Sequence, residues 1–115
     1  MQRLIFAAAL GLASGSALAF GMPCDKPEYL QLKSANRTEL TDEFCRAMRN
    51  HKFNLDENAR RRESLVQRSR AGEHVSKEFA NEDYLNAALT CSKAASKYMG
   101  ALERRFKMKK RPSCN

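Results

Sequence analysis

The sequence predicts an all-α fold, a small up-and-down helical bundle of three main helices plus a short N-terminal one, held by two disulfides. Three observations predict it. Tyr84, Ala88, Cys91, Ala95, Tyr98, Leu102 and Phe106 recur at steps of three and four, the period of one helical face. Nothing alternates at period two over a useful length, and no Asn-Gly or Asp-Gly hairpin signal occurs. Four cysteines, Cys24, Cys45, Cys91 and Cys114, stand in a short chain that opens like an exported protein, where an even count reads as paired bridges.

That opening is one early cation at Arg3, an apolar run from Leu4 to Leu12, and small residues ending Ala17-Leu18-Ala19. It has the layout of a cleaved secretory signal over residues 1–19. The apolar run is short and broken by Gly11, Ser14, Gly15 and Ser16, a poor match to the roughly 20 apolar residues of a membrane span. With no second apolar run, the mature chain is expected to lack a transmembrane segment and to reach a periplasmic or extracellular compartment. Residues 20–115 then form one helical domain.

From Asp25 to Ser34 the chain reads as a short helix with Pro27 in its first turn, Asp25 as cap, and Tyr29 and Leu30 facing the core. A second helix is expected from Thr38, with Glu39, Asp42 and Glu43 suiting its positive end, apolar positions Leu40, Phe44, Ala47, Met48 and His51, and an end near Lys52. Asn54 with Glu57 three residues later resembles a capping box and predicts a third helix to about Ala71, where Gly72 supplies the stop. Glu73 to Ala80 is a connector in which Val75 and Phe79 pack. The long helix runs from about Asn81 towards Lys110, and Pro112 ends any continuation.

In an up-down-up order the second and long helices run parallel, placing Cys45 and Cys91 at similar heights and leaving Cys24 near Cys114. The favoured pairing is therefore Cys45–Cys91 with Cys24–Cys114, over Cys24–Cys91 with Cys45–Cys114. A Cys91–Cys114 bridge is disfavoured, because a helix continuing to Lys110 puts its end ~28 Å beyond Cys91.

No catalytic pattern emerges. His51 lies on an apolar helical face and reads as a packing residue, while His74 lies in a polar connector and reads as solvated. Serine elbows, glycine-rich phosphate loops and closely spaced cysteine or histidine ligand pairs do not occur, so neither metal nor cofactor is expected. The acidic pairs Asp42/Glu43, Asp56/Glu57 and Glu82/Asp83 each open a predicted helix, where carboxylates complement the dipole.

Charge is the informative feature. Residues 20–58 hold six Lys/Arg against seven Asp/Glu, whereas residues 59–115 hold fourteen against six. Arg104, Arg105, Lys107, Lys109, Lys110 and Arg111 put six cations in eight residues at the basic C-terminal end (104–111). One or two would satisfy a helix terminus; six repel one another unless screened or met by an anion. Arg60, Arg61 and Arg62 form a second cluster, which an antiparallel neighbour would bring beside the end of the long helix. Nucleic acid is the general ligand of such patches but is disfavoured for an exported chain.

The sequence thus predicts an exported, non-catalytic binding protein of adaptor, inhibitor or immunity type, contacting an unknown protein partner through these cations. Its alternative is a cationic envelope-binding protein acting on anionic lipid, lipopolysaccharide or wall polymer.

Overall fold

Two long antiparallel helices carry the structure, a computed structural model that describes residues 21–114. The expected signal segment 1–19 lies outside the described residues. The elements are α1 (Tyr29–Ser34), α2 (Arg37–Arg70), α3 (Ser76–Ala80) and α4 (Asp83–Phe106), with no strand among the described residues. The chain is a small all-α bundle with two disulfides.

The expected second and third helices are one continuous helix, α2, about 51 Å long. It starts one residue before the expected Thr38. Asn36 caps it: its side chain accepts from the Glu39 N–H at 2.8 Å, and the Glu39 carboxylate accepts from the Asn36 N–H at 2.9 Å. That reciprocal pair satisfies two of the free donors of the first turn. At the other end Gly72 stands at φ 97°, a left-handed conformation that glycine adopts without penalty, and the helix stops as expected.

No break occurs at Asn54, because its side chain serves the tertiary structure. Asn54 is fully buried; its Oδ1 accepts from the Met22 N–H at 2.8 Å and its Nδ2 donates to the Met22 carbonyl at 3.1 Å. The arm before α1 is thereby clipped to the middle of α2. Gly21, at φ 103°, makes the approach possible, since a Cβ there would lie 2.8 Å from Asn54 Oδ1.

The core lies between α2 and α4. Leu40, Phe44 and Ala47 pack against Ala94, Ala95, Tyr98, Ala101 and Leu102. The alanine-rich face of α4 lets the two backbones approach, and dispersion contacts accumulate from many small side chains. Further along, Leu65, Val75, Ala87, Ala88 and Cys91 are buried.

The disulfides are Cys24–Cys91 and Cys45–Cys114, which overturns the favoured pairing. The reason is the fused helix: α2 and α4 are antiparallel, so Cys45, near the start of α2, lies opposite the end of α4 rather than level with Cys91. Cys91 is level with Asn54, 4.0 Å from its Nδ2, where the arm brings Cys24. Tyr29 and Leu30 also differ from expectation: they are 69% and 73% exposed, and the arm buries Pro27 instead.

Candidate functional site

The end of α4 collects the charge. The helix closes at Phe106 because Lys107 adopts the left-handed conformation (φ 58°), returning its N–H to the Glu103 carbonyl at 3.1 Å, with the Met108 N–H directed at the Leu102 carbonyl at 3.4 Å. The helix thus ends four residues before the expected Lys110, and the tail turns back so that Met108 and Cys114 pack against the core. The six cations consequently divide. Arg104 and Arg105 end α4, Lys107 sits at the turn, and Lys109, Lys110 and Arg111 belong to the returning tail.

Arg104 and Arg105 meet α1. The Arg105 Nη1 donates to the Leu32 carbonyl at 3.0 Å, and its guanidinium lies 4.9 Å from the centre of the Phe106 ring. Together with Tyr29, Leu32 and Lys33, the two arginines line a cleft of about 320 Å³. Lys33 places its ammonium 4.9 Å from the centre of the Tyr29 ring, a cation–π contact. Among the described residues no carboxylate pairs with Lys33, Arg104 or Arg105.

Three more lysines, outside the charge clusters visible in the sequence, extend this face. Lys93, Lys97 and Arg104 stand at spacings of four and seven, within about 40° of one another around the helix and spanning about 16 Å of its length. That spacing was the available signal. Lys26 from the arm joins Lys93 and Lys97 around a second cleft of about 380 Å³, floored by Pro27, Ala94 and Thr90. The arm is fixed there by the Cys24–Cys91 bridge and by the Cys24 N–H donating to Thr90 Oγ1 at 2.9 Å. Lys26, Lys93 and Lys97 have no ion-pair partner among the described residues either. Their mutual repulsion is relieved by solvent ions or by an anionic ligand.

Arg60, Arg61 and Arg62 do not join this surface. In the antiparallel hairpin they lie beside the start of α4, about 35 Å along the helix from Arg105. Each is engaged locally. Arg60 pairs with Glu57, Arg61 donates to the carbonyls of Asn81 and Glu78, and Arg62 lies 5.5 Å from the centre of the Phe79 ring. Arg68 adds an ion pair to Glu73 at 2.9 Å and reaches Glu78 at 3.7 Å. Arg61, Arg62 and Arg68 thereby tie α3 to the far end of α2.

The polar groups of the interior have structural partners. His51 is half-buried, and its Nδ1–H donates to the Ala88 carbonyl at 3.0 Å, the acceptor-only partner fixing the tautomer. It shares a groove of about 300 Å³ with Met48, Met99, Glu103 and Arg111. His74 is exposed. The buried Tyr98 hydroxyl reaches Gln31 Oε1 at 3.3 Å and Glu43 Oε2 at 3.5 Å; burial, reinforced by the Glu43 charge, pushes its pKa above the usual tyrosine value. On the solvated side of α2, Lys52 bonds Asp56 at 2.7 Å and holds that carboxyl below the usual range. Among the described residues no group of three His, Cys, Asp or Glu is placed to hold a metal ion, and no helix is long and apolar enough to cross a membrane. No known protein family, curated protein or solved structure matches the chain.

Proposed function

We propose that this is an exported, non-catalytic binding protein that holds an anionic macromolecule, an acidic protein surface or an anionic envelope component, on the cationic face of α4 and α1. The observation that carries the reading is the gathering of Lys33, Lys93, Lys97, Arg104 and Arg105 from two elements into one face without a carboxylate partner among the described residues. Cations retained for helix stability alone would sit beside acids or within one terminal turn. Lys97 and Lys93 are about two and a half and three and a half turns away from the end of α4. Export is supported by the pairing of all four cysteines, a state that persists in oxidising compartments.

The test replaces Lys33, Lys93, Lys97, Arg104 and Arg105 by Gln and follows retention of envelope components and of an immobilised acidic polymer. Retention is expected to be lost at unchanged helicity. A companion variant, Arg60→Gln with Arg62→Gln, is expected to retain both. Equal retention by the five-fold variant and the native protein would reject the reading.

A further inference from the structure

We propose that the α1 end of the molecule docks on an anionic phospholipid surface, with Tyr29 and Leu30 entering the interface while Lys33, Arg104 and Arg105 hold lipid phosphates. This rests on the cationic-face reading above and names its partner. Tyr29 and Leu30 are the most exposed large apolar side chains among the described residues, at 69% and 73%. Exposed leucines are common singly, but here Leu30 adjoins an equally exposed Tyr29 that itself lines a cation-lined cleft. Tyrosine pairs an apolar ring with a polar tip, which suits the boundary between headgroups and acyl chains. Directly beside it, the two guanidiniums offer forked donors that match phosphate oxygens, and the Lys33 ammonium adds a point charge.

The tip is also preorganised. Arg105 is bonded to the Leu32 carbonyl, Gln31 meets Tyr98, and the arm leading into α1 is fixed through Cys24. Little ordering is left to be done at contact, which favours binding. The remaining cations, Lys26, Lys93 and Lys97, line a second cleft further along the molecule, apart from the one at the α1 end. A planar array of phosphates can meet such a distribution at many points, each cation near the surface contributing roughly fivefold to binding.

The experiment is co-sedimentation of the oxidised protein with vesicles of phosphatidylcholine alone and of a three-to-one mixture with phosphatidylglycerol, alongside retention on immobilised polyglutamate. Binding is expected to the mixed vesicles and not to phosphatidylcholine alone. Tyr29→Ser with Leu30→Ser leaves the charge unchanged and touches exposed positions, so its melting temperature should match the native one. Its vesicle binding is expected to fall about tenfold with polyglutamate retention unaltered. Lys33→Gln with Arg104→Gln and Arg105→Gln is expected to weaken vesicle binding on the order of 100-fold. Retention on polyglutamate without vesicle binding, or vesicle binding indifferent to the Tyr29/Leu30 change, would overturn lipid docking while leaving the cationic-face reading standing. Indifference of both ligands to the three Gln substitutions would overturn both.

Discussion

Asn54 offers the sharpest test of how the arm is held. Its carboxamide is fully buried and meets both backbone polar groups of Met22, the N–H at 2.8 Å and the carbonyl at 3.1 Å. In Asn54→Ala both bonds vanish, at about 1 kcal/mol each, and the emptied site adds a smaller cavity cost, giving a loss of about 2–3 kcal/mol. For a chain of this size that lowers the melting temperature by roughly 10–20 °C. The assay is thermal unfolding of the oxidised protein followed by helical circular dichroism at pH 7.

Asn54→Asp separates hydrogen-bond polarity from packing, because the shape is conserved while the donor facing the Met22 carbonyl becomes an acceptor. The carboxyl would be buried, and its folded pKa is then raised above the unfolded value of about 3.9. For a group shifted in that direction, stability is fully present below the unfolded pKa and is lost as pH rises through the folded one. Asn54→Asp should accordingly lie closer to the native protein at pH 3.5 than at pH 7, the protonated acid donating where Nδ2 did. An Asn54→Ala loss below about 0.5 kcal/mol, under the range for even one intramolecular bond, would refute the clip. So would an Asn54→Asp deficit that is the same at both pH values.

Three other outcomes follow from the same structure. Digestion without reduction should yield peptides joined through Cys24–Cys91 and Cys45–Cys114, and replacing Cys45 and Cys114 by Ala, which opens a closure of 69 residues, should cost about 4 kcal/mol in denaturant titration if loop entropy dominates. In alkaline titration followed by tyrosinate absorbance, Tyr98 should ionise later than the free side chain, because burial and then Glu43 raise its pKa; the stability it contributes is present below pH about 10 and lost above, and Tyr98→Phe should remove the late phase.

The face of α4 was legible because its period runs unbroken through some six turns. Legible too were the stop at Gly72, the burial of Val75 and the packing role of His51. Asn54 was misleading because the spacing Asn54 to Glu57 is identical in kind to Asn36 to Glu39; only the second caps a helix, and what distinguishes them is Met22, thirty-two residues away from Asn54. The disulfide pairing failed as a consequence: one false helix break reverses the direction of a neighbour and so exchanges partners. Of the candidate site, the density of charge at 104–111 was plain, but its partition by the left-handed turn at Lys107 was not. The separation of Arg60–Arg62 from it follows from the same fused helix. Tyr29 and Leu30 carry the local pattern of core residues, and their exposure arises because the arm lies on the bundle through Pro27 and Cys24.

The order of the bridges has a topological consequence. Cys45 lies between Cys24 and Cys91 along the chain, and Cys91 between Cys45 and Cys114, so the two closed loops interlace. A single backbone cut anywhere between Cys24 and Cys114 therefore leaves both fragments covalently joined, by one bridge near either end and by two across the middle. The exposed turn at Gly72 falls in the doubly joined stretch. An endoprotease that nicks it would leave α2 and α4 side by side, and the cationic face would outlive the continuity of the chain that carries it.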